Sequence, residues 1–262
     1  SPNRSVWRFV KKHVEGYDAS IFSLPDFAQP LPHPQYLITP SIDPLSEKNI
    51  ALHKSEITKT YGELGIPMDK PVILQVSRFD RFKDPLGVIE SYRIAREHVD
   101  IRLVLAGGGA TDDPESGEVL ARVQEAAAGD PDIHVLLLPA DAHRTINALQ
   151  SGAAVVMQKS TKEGFGLTVT EGLWKKKPVI GGDVGGIRLQ IINRFNGFRV
   201  RSPEGAAIRI RYLLTHKWKR ERMGVNARQY VLENFLITGQ LRRYLSLLIA
   251  LNSSGGEWER WL

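Results

Sequence analysis

Between residues 70 and 200 the chain alternates short apolar runs with segments of helical period, and this alternation limits its possible folds more than any other feature. Val72-Ile73-Leu74-Gln75-Val76 and the runs at 101–106, 133–138, 153–157, 179–180 and 197–200 are too short for buried helices and mostly rich in β-branched residues. Asp84-Pro85 reads as the cap and first-turn proline of a helix with Ile89, Tyr92, Ala95 and Val99 on its apolar side. Further helices are expected over about 115–127, 141–150 and 168–176. Strands that are apolar throughout, separated by helices, belong to a parallel sheet covered on both faces. Right-handed crossovers then give an α/β, doubly wound Rossmann-like domain.

The flanks do not belong to that series. Asn3 can cap a helix with Val6, Phe9, Val10 and Val14 on its buried side, followed by strand-like runs at 19–22 and 36–38 around a Pro-rich connection. One helix and two strands cannot bury a core alone, so 1–45 reads as the end of another domain plus a hinge. The main domain is expected over 46–235, with a C-terminal helix over 236–252 carrying Leu241, Tyr244, Leu245, Leu248 and Leu251 on one face. Residues 253–262 form a tail with Trp258 and Trp261. The start, Ser1-Pro2-Asn3-Arg4, has no signal-peptide core and no initiator Met, as expected of a processed, tagged or excised chain.

Composition excludes several chemistries. With no Cys in 262 residues, a disulfide scaffold, thiolate zinc site, Fe–S cluster and Cys nucleophile are all ruled out. No apolar run reaches the roughly 18–20 residues of a membrane span, and a cytoplasmic location is expected. The net charge of +6 is concentrated in 199–243, where eleven Lys/Arg face three Glu. These cations are scattered over what read as several short helices rather than lining one groove, which favours a solvated face over a nucleic-acid site. The seven His show no ligand spacing, and Asp130-Pro131-Asp132 lies in a turn, so no metal site is expected. His143 opens a helix and reads as a cap or surface residue.

Ligands of an open parallel sheet bind beyond the carboxyl ends of its strands. There the chain places Arg78 and Lys83, then Gly107, Gly108 and Gly109, then the run Glu163-Gly164-Phe165-Gly166-Leu167, then Gly181-Gly182-Asp183-Val184-Gly185-Gly186. Arg forks onto phosphate oxygens, Lys adds a point charge, and Gly lets backbone N–H groups approach. The set suits a phosphorylated ligand.

Arg78 with Lys83, and Glu163 to Leu167 running on to Glu171, resemble two signature elements of retaining GT-B glycosyltransferases. The runs 41–49, 76–85, 111–114 and 168–171 narrow the resemblance to the trehalose glycosyltransferring synthases, which join nucleotide-activated glucose to free glucose. The likeness covers about residues 2–250. It implies that Arg78 and Lys83 bind the diphosphate and stabilise the leaving group, while Glu163 faces the transferred sugar. It further implies that Gly164, Phe165, Gly166 and Leu167 contact sugar hydroxyls and phosphate, that Glu171 accepts ribose hydroxyls, and that Gly107, Gly108 and Leu137 or Leu138 lie near the nucleotide.

The implied substrate is ADP-, UDP- or GDP-glucose, with no cofactor required; Mg2+ is compatible but no motif indicates it. A complete enzyme of this fold has an acceptor domain before the donor domain, and only residues 1–45 resemble its end. The chain is therefore expected to bind nucleotide-sugar but to transfer glucose weakly or not at all by itself, with a glucose acceptor only if that domain is supplied. A homodimer is compatible with the sequence; no nucleic acid is expected. The alternatives are a non-catalytic nucleotide-binding or assembly module and a related GT-B sugar phosphorylase or sucrose-type synthase. Four positions depart from the family pattern. Lys176 stands where a helix-ending Gly is usual, at an expected cost of about 1 kcal/mol. Ala153 stands where a polar residue usually starts the strand, Arg188 stands where a Pro is usual, and the tail has no counterpart.

Overall fold

A computed structural model describes residues 3–108 and 114–252. Gly109, the run 111–113 and the Trp-containing tail lie outside the described residues. In chain order the elements are α1 (Arg4–Val14), β1 (Ser20–Phe22), β2 (Gln35–Leu37), α2 (Lys54–Glu63), β3 (Val72–Val76), α3 (Pro85–Arg96), β4 (Arg102–Gly107), α4 (Pro114–Ala127) and β5 (Ile133–Leu137). There follow α5 (His143–Gly152), β6 (Val155–Gln158), α6 (Leu167–Trp174), β7 (Val179–Gly182), α7 (Ile187–Gln190), β8 (Gly197–Val200), α8 (Pro203–Thr215), α9 (Lys217–Asn234) and α10 (Ile237–Asn252).

β3 to β8 form one six-stranded parallel sheet in the order β5-β4-β3-β6-β7-β8, the doubly wound arrangement expected from the alternating pattern. Successive strand residues feed opposite cores. Ile73, Leu103, Leu105, Val155 and Met157 pack with Val88 and Tyr92 of α3, Val123 of α4, and Ala206 and Ile210 of α8. Val72, Leu74, Val104, Val156 and Val179 pack with Tyr61 of α2, Leu149 of α5, Leu173 of α6, and Ala227 and Val231 of α9. Each such aliphatic side chain contributes about 1.5–3 kcal/mol on burial. Because both faces are covered, the strands carry no polar-out alternation, which is why they are legible as apolar runs.

Strand order reverses between β3 and β6, so the loops leaving their carboxyl ends diverge and open a crevice. Residues 70–200 thus match the sequence expectation closely. The helix α2 is an addition to it: its sequence is largely polar, and its fully buried Tyr61 alone donates into the core, to the Leu149 carbonyl at 2.8 Å.

The flanks differ from expectation in burial. α1 is capped by Asn3, which accepts from Ser5 N at 3.0 Å, but Val6 and Phe9 are exposed rather than buried. On α10 the expected apolar face of Leu241, Tyr244, Leu245, Leu248 and Leu251 is exposed, and Leu247 is the residue that is buried. Helical period fixes which side of a helix is apolar but does not supply the surface that covers it. β1 and β2 pair in parallel as a separate two-stranded sheet. The chain from β2 reaches the main domain through Ile42, which pairs with Leu236, and through Ser41, whose hydroxyl donates to Gln240 at 2.7 Å.

Among the described residues no helix is long and apolar enough to cross a membrane. Asp130 and Asp132 are engaged in ion pairs: Asp130 with Arg96, and Asp132 with Lys70 at 2.8 Å and Arg102 at 2.9 Å. The hydrogen bond from Lys70 and the nearby Arg102 hold the Asp132 carboxyl below its ordinary range. His143 is the first residue of α5 and is exposed.

Candidate active site

The β3–α3 connection is held by side-chain capping. Asp80 accepts from Phe82 N at 2.9 Å and Lys83 N at 3.1 Å, and Asp84, with φ +49°, accepts from Gly87 N at 3.2 Å. This turns Lys83 back toward the sheet. Its ammonium meets Glu163 Oε2 at 2.6 Å, joining the loops after β3 and β6 across the crevice. Glu163 also accepts from Ser160 Oγ at 3.1 Å and from Gln158 Nε2 at 3.4 Å. Arg78 lies alongside with its guanidinium 3.4 Å from Asp80 and a side chain 67% exposed, free to turn toward a ligand.

Arg78, Lys83, Gln158 and Glu163 line an open groove of about 410 Å3 together with Ser77, Phe165, Gly166, Leu167, Thr168 and Pro40. Three glycines let its walls approach. A Cβ on Gly107 would lie 2.8 Å from the Ser77 carbonyl carbon and closer still to its oxygen, so the β3 and β4 ends touch backbone to backbone. A Cβ on Gly186 would sit 2.5 Å from Phe165 Cα, and Gly166 holds φ +85° at the start of α6. Gln190 of α7 fixes the run from within, donating to the Phe165 carbonyl at 2.6 Å.

The remaining expected residues are not part of the groove lining. Leu138 N donates to the Gly107 carbonyl at 2.9 Å, and the Gly108 α-carbon faces the Leu138 carbonyl, so these three meet at the ends of β4 and β5. Glu171, one turn into α6, is buried beyond the groove lining. Its carboxylate accepts from Gln150 Nε2 at 3.3 Å and lies 3.8 Å from Lys48 Nζ. Beside it, burial pushes Lys175 down to about 8, against the pull of the Glu171 charge, and its ammonium donates to Asn49 at 3.1 Å. The structure therefore brings Arg78, Lys83, Glu163, Phe165, Gly166 and Leu167 to one groove, while Gly164 is not among its lining residues. Glu171 stands with Lys48, Asn49 and Lys175 at the base of the same helix.

Sequence reasoning overlooked the polar residues that support the groove. Gln75 and Gln158 are buried in or beside strands of otherwise apolar residues. Gln75 Nε2 donates to the Lys83 carbonyl at 2.9 Å and its Oε1 accepts from Lys159 N at 3.1 Å, tying the two loops together. Lys159 in turn pairs with Asp84. An amide within a fully buried run needs partners, and that was the available signal. Arg188, one of the expected departures, turns onto Asp183, donating to its carbonyl at 2.7 Å. Ala153 is fully buried at the end of α5.

Residues 56–230 match the family model for glycosyl transferases group 1. A trehalose synthase of Pyrococcus horikoshii is 43% identical over 260 residues, covering 98% of this chain and 62% of that protein. A trehalose phosphorylase of Grifola frondosa is 31% identical over 214 residues, covering 76% of this chain and 29% of that protein. The solved structure of Anabaena Alr3699/HepE in complex with UDP-glucose superposes with a TM-score of 0.80 at 16% identity, over 95% of this chain and 68% of that one, and bears on fold alone. The chain thus spans about three fifths of the synthase's length. With the doubly wound GT-B type of sheet and the groove at its reversal point, the chain belongs to the group 1 glycosyl transferases.

Proposed function

We propose that the chain is the donor-binding half of a retaining glucosyltransferase, moving glucose from a nucleoside-diphosphate-glucose to glucose to form trehalose. The observation that carries this reading is the 2.6 Å Lys83–Glu163 pair, which holds a cation and a carboxylate at the switch point beside Arg78. In the transfer, the bond from glucose C1 to the phosphate oxygen breaks and its electron pair leaves on the diphosphate. A bond from C1 to an acceptor hydroxyl forms on the same face, and the hydroxyl proton passes to the departing phosphate oxygen. Fixed cations at the departing oxygen favour that step because charge develops there. Lys83 and Arg78 take this part, and Glu163 positions the sugar and orients Lys83.

The N–H groups of 164–167 face the sugar and phosphate, while Gly107, Gly108 and Leu138 flank the nucleotide. Glu171 accepts the ribose hydroxyls once they displace Lys48; a carboxylate is the natural acceptor for a vicinal diol. The groove is open above the sheet, so little excludes water from the sugar. By itself the chain is expected to bind the donor and transfer poorly.

The test is calorimetry with ADP-, UDP- and GDP-glucose against the bare nucleotides. One donor should bind, and Lys83→Ala should weaken it at least tenfold without unfolding the chain. Undiminished donor binding in that variant would remove the proposed role, as would absence of all nucleotide binding by the folded protein. The phosphorylase relative favours a second reading, in which the glycosidic bond of trehalose breaks, its glucosyl C1 passes to an oxygen of inorganic phosphate, and the freed glucose takes up the proton. Supplying a longer form of the protein either with trehalose and phosphate or with nucleoside-diphosphate-glucose and glucose separates the two.

A further inference from the structure

The donor groove lies at the carboxyl ends of the strands. A second pocket lies at the opposite end, beside the loop that enters β8, and it is lined by Arg194, Tyr212, Trp218, Lys219, Arg222, Met223 and Asn226. Its volume is about 250 Å3. Lys219, Arg222, Met223 and Asn226 fall at successive helical spacings on α9 and so share one face of it. The Lys219 ammonium lies 5.0 Å from the Tyr212 ring centre and 5.5 Å from that of Trp218. Among the described residues, Arg194, Lys219 and Arg222 pair with no carboxylate; Glu221, close by in sequence, pairs with Lys217 at 3.9 Å.

Two features separate this pocket from an ordinary solvated face. Like charges converging without a counter-ion repel one another, at a cost that an anion between them removes. Arg194 also holds φ +67°, which costs a non-glycine residue about 1 kcal/mol. That conformation is fixed by a bond from its N–H to the Gly197 carbonyl at 2.9 Å, while Asn226 donates to the Phe195 carbonyl at 3.0 Å and ties the same loop to α9. The loop is thus held where the strained arginine enters the pocket wall. Beside the cations stands Trp218, 61% exposed, offering a flat apolar surface that nothing in the core requires.

We propose that this pocket is a second ligand site, which binds a phosphorylated hexose. Arg194, Lys219 and Arg222 take the phosphate, for which guanidinium forks are the matched donors, and the pyranose ring lies against Trp218. A phosphate monoester on one sugar ring suits the small volume and the single aromatic platform, whereas a nucleic acid would need a longer track of cations and rings. The proposal does not depend on the donor reading.

The experiment uses the full chain carrying Lys83→Ala, which weakens binding in the donor groove, and titrates it calorimetrically with glucose 6-phosphate, glucose, inorganic phosphate, AMP and heparin. Glucose 6-phosphate should bind saturably and at least tenfold more tightly than glucose, phosphate or AMP. Arg222→Ala and Trp218→Ala should each weaken it at least tenfold. Arg194→Gly should do the same while leaving thermal stability equal or higher, because it relieves the left-handed strain; loss of binding there cannot come from unfolding. Equal binding of inorganic phosphate or AMP, preference for heparin, no saturable binding, or retained affinity in the Arg222→Ala and Arg194→Gly variants would each overturn the proposal.

Discussion

Replacing Gly185 by Ala tests whether the loop after β7 shapes the donor groove. Gly185 holds φ +42°, and a Cβ there would lie 2.9 Å from the Glu163 carbonyl carbon, closer still to its oxygen, and 3.2 Å from Gly164 O. Two costs combine. A left-handed alanine costs about 1–2 kcal/mol, and forcing a methyl into packed backbone costs typically 1–3 kcal/mol. The sum, about 2–5 kcal/mol, corresponds to a fall in Tm of roughly 4–20 °C at about 2–4 °C per kcal/mol for a domain of this size. Relief of the clash must push away the backbone that carries Glu163, so its contact with Lys83 loosens as well. Gly164 provides the control, because a Cβ there meets nothing within 4 Å. The assay is thermal unfolding followed by circular dichroism, with calorimetric donor binding on the same samples. Gly185→Ala should lose both stability and donor affinity. Gly164→Ala should keep its Tm and lose affinity only if the ligand approaches that backbone. An alanine at 185 that melts within 2 °C of the parent and binds donor equally well would refute the reasoning.

Other outcomes follow from single residues. Lys176 holds φ +59° at the end of α6, so Lys176→Gly should stabilise the chain by about 1 kcal/mol, raising Tm by roughly 2–4 °C; an unchanged or lower Tm contradicts this. Burial, with a smaller contribution from Arg220, pushes Lys177 down to about 8. The unfolded chain therefore binds more protons than the folded one between about pH 8 and 10, and parent stability rises with pH across that window. Lys177→Met should be more stable than the parent at pH 7, with an advantage that shrinks as pH rises from 8 to 10. Urea titrations at pH 7, 8, 9 and 10 measure it, and a constant difference would show that Lys177 carries no such cost. Glu171→Gln should weaken nucleotide binding while leaving 2′,3′-dideoxynucleotide affinity unchanged; equal losses for both ligands would place Glu171 outside ribose recognition.

Much of the fold was legible because a doubly covered parallel sheet writes itself as apolar runs. Those runs located the strand ends and, with them, Arg78, Lys83 and the glycine-rich segment from Glu163. The supporting amides were not legible. Gln75 and Gln158 look like interruptions in strand patterns, and only the folded chain shows that their partners are the Lys83 carbonyl and the Glu163 carboxylate. α2 escaped notice because its one fully buried residue, Tyr61, leaves no stripe. The basic stretch 199–243 read as scattered charge, since the approach of Arg194 to Lys219 and Arg222 depends on a loop joining α9.

By itself the sequence determined the periodicities, and hence the sheet, its crossovers and the edge where a phosphorylated ligand could bind. Tertiary structure decided which side chains meet. The 2.6 Å Lys83–Glu163 pair spans eighty positions of sequence, and no local pattern encodes such a contact. Tertiary structure also decided burial at the flanks. The apolar stripes of α1 and α10 are written in the chain, but whether a stripe is covered depends on the surface opposite it, and here Phe9 and Leu248 face solvent. Period is a local property of the backbone and can be read along one segment, whereas contact and burial need two segments placed together by the whole fold.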